Sequence, residues 1–177
     1  VVAGSFSFNN AGDRIVFVSE PTEDVPQGVY IMNTDGSGQT LLTTGTTYGT
    51  PVWSRDDSRL AFNCGADVCV INVDGSNLIT LAANASDPSW SADGTQIAYD
   101  CGDVCLIAST GGEPQLITTG MNIDTPVFNF DGTKIAFASV IPTGWALNVF
   151  DFDDNSVSLV VEGIGEFEGL VFRRPQN

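Results

Sequence analysis

The sequence predicts an all-β fold: a β-propeller of about four four-stranded antiparallel blades. Three observations predict it. Four stretches, Phe8 to Phe17, Trp53 to Phe62, Trp90 to Tyr99 and Phe128 to Phe137, align without a gap. Their leading aromatic residues stand 45, 37 and 38 positions apart, a period of propeller size. The strands inside each unit are apolar at most positions rather than at alternate ones, which calls for cover on both faces. Blades stacked about an axis supply that cover and leave few open sheet edges.

Each unit reads as four strands. The first ends at the aromatic residue, where it is expected to pack between blades, and an Asp-Gly-type turn follows, a strong hairpin signal. The second is the Ile-Ala-Phe-like triplet. The third is Val29 to Met32, Val68 to Ile71, Val104 to Ile107 or Leu147 to Phe150. A second turn (Asp35-Gly36-Ser37-Gly38, Asp74-Gly75-Ser76 or Thr110-Gly111-Gly112) leads to the fourth: Thr40 to Leu42, Leu78 to Leu81, Gln115 to Ile117 or Ser158 to Val161. The whole of 1–177 is expected to form one propeller domain, with blades near 4–43, 49–82, 86–118 and 124–162.

These residues resemble the TolB-type (WD40-like) propeller repeat, with its Pro-x-Trp-Ser-x-Asp-Gly-x-x-Ile-Ala-Phe core and Asn-x-Asp-Gly-Ser turn. The core matches at Pro51-Val52-Trp53-Ser54, at Pro88-Ser89-Trp90-Ser91-Ala92-Asp93-Gly94 and at Pro126-Val127-Phe128. The turn matches at Asn33-Thr34-Asp35-Gly36-Ser37 and Asn72-Val73-Asp74-Gly75-Ser76. The resemblance covers nearly the whole chain and is specific for the repeat, not for a function. Such repeats occur in periplasmic envelope proteins, in secreted proteins and beside peptidase domains. The first unit departs from the pattern, with Phe6 at the proline position, and Phe8 and Phe128 replace tryptophan.

A remainder follows the fourth unit. Gly169 to Arg173 reads as one more first strand, with Leu170, Val171 and Phe172 as its apolar residues. It would close the ring within the chain, begin a further blade, or pair with another copy by strand addition, for which an open strand edge is a template. Because the chain opens at Val1 without methionine, it reads as a mature product or a segment.

Six basic residues stand against 22 acidic ones, for a net charge of −16. Nucleic acid is thereby disfavoured as a partner, since binding it rests on basic groups. Membrane insertion is disfavoured too, because no apolar run approaches the ~20 residues a spanning helix needs. The expected partners are another protein or other copies of the chain.

The four cysteines fall into two close pairs, Cys64 with Cys69 and Cys101 with Cys105. An even, locally paired set suggests disulfides and an oxidising compartment, extracellular or periplasmic. Zinc is the rival, but its knuckles favour C-x2-C and there is no histidine in the chain. Each pair brackets the loop between second and third strands, which a disulfide would pin.

Acids collect in the loops expected on one face of the blades: Glu23, Asp24, Asp67, Asp87, Asp103, Asp124, Glu166 and Glu168. Asp87, Asp124 and Glu168 stand just ahead of first strands and, with Tyr48 and Glu166, mark the candidate binding face. A cation or a basic peptide could bind there, against the plainer reading of a solvated acidic rim. No cofactor is called for. Calcium is the one metal considered, at the turn aspartates Asp35, Asp74, Asp93 and Asp131, but the full D-x-D-x-D-G-x5-E spacing is absent and turn geometry accounts for them. Asn84-Ala85-Ser86 is an N-glycosylation sequon.

Without histidine the usual general base and Ser-His or Cys-His pairs are missing, and no Gly-x-Ser-x-Gly elbow is present. No carboxylate pair stands out as a glycosidase dyad. The expectation is a non-enzymatic extracytoplasmic interaction or scaffold module. A self-assembling structural subunit, of a filament or surface layer, is the alternative, and the propeller domain of a larger hydrolase is a third reading.

Overall fold

The computed structural model describes residues 3–45 and 47–164. They form sixteen strands and no helix. The first sheet holds β1 (Ala3–Phe8), β2 (Arg14–Ser19), β3 (Gly28–Asn33) and β4 (Thr40–Thr44), and the second β5 (Thr47–Trp53), β6 (Arg59–Cys64), β7 (Asp67–Asn72) and β8 (Ile79–Ala82). The third holds β9 (Ser86–Trp90), β10 (Gln96–Asp100), β11 (Val104–Ala108) and β12 (Gln115–Leu116), and the fourth β13 (Ile123–Phe128), β14 (Lys134–Ile141), β15 (Gly144–Asp151) and β16 (Ser156–Ile164). Every sheet is an antiparallel meander of four consecutive strands. The chain divides into two compact units, Val1–Ala85 and Ser86–Asn177, each carrying two of these blades.

The continuous apolar runs of the middle strands are covered on both sides, as in Val16-Phe17-Val18 of β2, Leu60-Ala61-Phe62 of β6 and Ile135-Ala136-Phe137 of β14. In the first unit, Trp53 lies on the same face of its blade as Leu60, Phe62, Cys69 and Ile71. That face packs on Val16, Val29, Ile31 and Leu42 of the preceding blade. The indole N–H donates to the Ser7 carbonyl at 3.3 Å, the Ser7 hydroxyl donates to the Pro51 carbonyl at 2.8 Å, and the Arg14 guanidinium lies 5.3 Å from the indole centroid.

The second unit repeats the join. Phe128, Ile135, Phe137 and Phe150 pack on Ala98, Val104, Leu106 and Ile117 of the blade before, and the Phe128 N–H donates to the Ser89 hydroxyl at 3.0 Å. Phe8 departs from the expected pattern. It holds the same register position, opposite Ile15 as Trp53 is opposite Leu60, yet it is 59% exposed and does not pack between blades.

The turns are built by aspartate side chains that accept from the residue two positions on. Ser37 bonds Asp35, Ser76 bonds Asp74, Thr133 bonds Asp131 and Ser156 bonds Asp154, each through backbone N–H and hydroxyl. Glycine follows in the left-handed region where the turn requires it, as at Gly36 (φ 85°) and Gly75 (φ 83°). In the turn between first and second strands, left-handed glycines stand at Gly12, Gly94 and Gly132, and in the second blade that place belongs to Asp57 (φ 57°) instead. Its carboxylate accepts from the Asn10 and Ala11 backbone N–H groups at 2.8 and 3.0 Å and from the Asn10 and Asn9 amides at 2.7 and 3.0 Å, which ties the first blade's turn to its own. Lys134, the one lysine of the chain, pairs with Asp151 across β14 and β15.

Candidate functional site

The first strand of each blade is irregular at its entry: its register shifts between Asp124 and Val127 in β13, and opposite Ala98 and Asp100 in β9. Such bulges re-aim side chains. Here they coincide with left-handed backbone at Asp87 (φ 53°) and Thr125 (φ 50°), each directly before a buried proline, Pro88 or Pro126. A β-branched residue rarely adopts this conformation, so Thr125 is strained. Asp87 and Asp124 are brought toward Asp100 at the end of β10, with carboxylate oxygens of all three within 4.8 Å of one another.

Asp87 and Asp124 thus lie inside strands rather than in the loops ahead of them. Asp100 was not among the residues singled out from the sequence. A signal for it existed: its register position, three residues after the buried Ile97, is held by Val18, Asn63 and Ala138 in the other blades. A charge at that place in an apolar run asks for an explanation.

The electrostatics at Asp100 are unfavourable. Burial pushes the Asp100 carboxyl above its ordinary range, and the charges of Asp87, Asp124 and Asp103 push in the same direction, against a hydrogen bond from the Gly102 N–H at 2.6 Å. The Thr125 hydroxyl donates to Asp124 at 2.8 Å. The arrangement offers oxygen donors only, which suits a hard cation such as calcium rather than zinc, or the ammonium or guanidinium of a basic side chain.

Next to the trio, Asp103 fastens the connection between the third and fourth blades. It accepts from the Gly120 and Met121 N–H groups at 2.8 and 3.0 Å and from the Thr118 hydroxyl at 3.0 Å. Burial opposes its charge, but these bonds outweigh burial and hold the carboxyl below its usual range. In the first unit Asp67 does similar work, accepting the Asn84 N–H at 3.1 Å.

Disulfides bracket both residues. Cys64 is joined to Cys69 and Cys101 to Cys105, with Cα–Cα distances of 5.8 and 6.0 Å. Each bridge therefore stiffens the hairpin that presents the clamping aspartate. An open apolar cleft in the first unit is lined by Thr43, Phe62, Cys64, Cys69 and Leu78. Asn84 of the sequon is exposed. Tyr48 belongs to β5, opposite Asn63, and its side chain lies outside the described residues, as do Glu166, Glu168, Leu170, Val171 and Phe172.

No protein-family model matches the chain, and no curated protein matches it. Solved structures do. The putative TolB from Agrobacterium tumefaciens superposes with a TM-score of 0.74 at 16% identity, over 88% of this chain and 63% of that one. The fold is a TolB-type β-propeller. TolB from Acinetobacter baumannii gives 0.71 at 14% identity, over 89% and 43% of the two chains. An oligogalacturonate lyase in complex with manganese gives 0.70 at 18% identity, over 88% and 52%. The chain thus spans less than two thirds of the length of these three solved proteins, one of which is a lyase.

Proposed function

We propose that this TolB-type propeller is a non-enzymatic, extracytoplasmic protein-interaction module whose acidic face takes a basic segment of its partner. The observation that carries the reading is the convergence of Asp87, Asp100 and Asp124 on the blade scaffold, where the charges of Asp87 and Asp124 bear on the half-buried Asp100 and a cation would favour its ionised form. Two disulfides support an oxidising compartment, and a net charge of −16 favours a cationic partner. An oligolysine peptide titrated calorimetrically is expected to bind the wild type. The triple variant Asp87→Asn, Asp100→Asn, Asp124→Asn is expected to weaken it at least tenfold. Equal affinity for both proteins would discard the acidic face, and turnover of oligogalacturonate in the presence of manganese would discard the non-enzymatic reading.

A second reading, a structural subunit built from copies of the chain, is supported by one observation. Phe6 and Phe8, side by side on one face of the first blade, are 61% and 59% exposed, although the positions they occupy are buried in the other blades.

A further inference from the structure

The join within the first unit and the join within the second are the same join made twice. In each, the face that carries the aromatic residue at the end of the first strand enters the opposite face of the blade before it. Trp53 with Leu60 enters the face of Val16, Val29, Ile31 and Leu42. Phe128 with Ile135 enters the face of Ala98, Val104, Leu106 and Ile117. The strand registers extend this pattern to the entering face of the first blade and the receiving face of the fourth. On the entering side of the first blade, Phe8 lies opposite Ile15 and Phe6 opposite Phe17, so all four share one face. Ile15 is half-buried, whereas its equivalents Leu60, Ile97 and Ile135 are fully buried. On the receiving side of the fourth blade, Leu147, Val149 and Val160 take the places of Val29, Ile31 and Leu42. Leu147 and Val149 are half-buried and Val160 is 57% exposed, although Leu42 and Ile117 at the same place are packed against the incoming aromatic cluster.

We propose that the entering face of one chain, centred on Phe8 and Phe6, docks on the receiving face of the fourth blade of a second copy, centred on Val160, Leu147 and Val149. The contact rests on the self-assembling reading and uses a sheet face, not the strand edge at 170–172. It is head to tail, because entering and receiving faces differ, and such contacts propagate into open filaments or close into rings. The chain itself already buries this pair of surfaces against each other twice, once in each unit. The trans join differs in one respect: Val127 stands where Ser7 and Ser89 supply the hydrogen bond to the next blade, so it lacks that bond. Each copy carries −16, so the apolar contact has to overcome repulsion that salt screens. A basic partner on the acidic face would show the reverse salt dependence.

Sedimentation and negative-stain microscopy of the purified chain test this, with Phe8→Asp and Val160→Asp as variants. Both side chains are exposed, so the substitutions leave the core intact, and circular dichroism checks that they do. The wild type is expected to associate with rising concentration, more strongly at 0.5 M than at 0.05 M salt, into rings or filaments. Each variant alone is expected to be monomeric. Mixed together they should form discrete dimers, since one keeps its entering face and the other its receiving face. A wild type that stays monomeric under all these conditions overturns the contact together with the self-assembling reading. Association that survives both substitutions, or a mixture that stays monomeric, overturns the contact alone.

Discussion

Asp57 shows how one residue can accept a backbone penalty for the sake of its side chain. The left-handed conformation costs an L-residue roughly 1 kcal/mol, a cost that glycine at Gly94 and Gly132 avoids. The carboxylate recovers it through bonds to Asn9, Asn10 and Ala11, each charge-assisted, and together worth about 2–3 kcal/mol. Asp57→Ala, which keeps the strain and loses the bonds, should destabilise the chain by about 2–3 kcal/mol, and Asp57→Gly by about 1 kcal/mol less. Denaturant midpoints would check the order, and Gly falling below Ala would refute it. Asp100 behaves in the opposite way. With its folded carboxyl raised by burial and like charges, its ionisation destabilises the fold as pH rises through and above the ordinary carboxylate range. Asp100→Asn keeps the acceptor for the Gly102 N–H and removes the charge. It should raise the thermal midpoint at pH 7 by up to about 2–4 °C. No rise, or a fall, would show that Asp100 is not under electrostatic strain.

At the scale of elements, the turns and the disulfide hairpins carry the testable chemistry. In the third blade's turn the Thr95 backbone N–H, the Ser91 hydroxyl and the Thr95 hydroxyl hold the Asp93 carboxyl down at about 2. A depressed carboxyl stabilises the fold above its unfolded value and loses that contribution as pH falls toward the folded one. The thermal midpoint of the wild type should therefore drop between about pH 4 and pH 2, and Asp93→Asn should start lower and fall less across that window. The disulfide of Cys101 and Cys105 closes only a short loop, worth about 2 kcal/mol by the loop-length relation. Its replacement by two serines should leave the blade folded while amide exchange quickens at Gly120 and Met121, the N–H groups that Asp103 holds. Unchanged exchange there would separate the bridge from the clamp.

For the molecule as a whole, the repeat carried the fold. Aromatic residues at a regular interval, turn aspartates and doubly apolar strands were enough to place four meanders, because each is a local pattern repeated in register. The candidate site was only half legible. Asp87 and Asp124 drew notice as acids beside first strands. Asp100 did not, because its partners come from β9 and β13, and only bulges and two left-handed residues bring them together. Phe8 is the converse case: the pattern that buries Trp53 predicted its burial, but burial depends on a neighbouring blade, which no residue of the repeat itself specifies.

The ion pair of Lys134 with Asp151 has a practical consequence. Hydrogen bonding to Asp151, followed by the fields of Asp151, Asp153 and Asp154, holds the ammonium above its ordinary pKa, so acylating reagents should modify it slowly at neutral pH and efficiently only in stronger alkali. With a single lysine among the 177 residues, milder conditions direct such a reagent to the α-amino group, and once that group is blocked, stronger alkali attaches a fluorophore to the side chain of one known position without mutating anything.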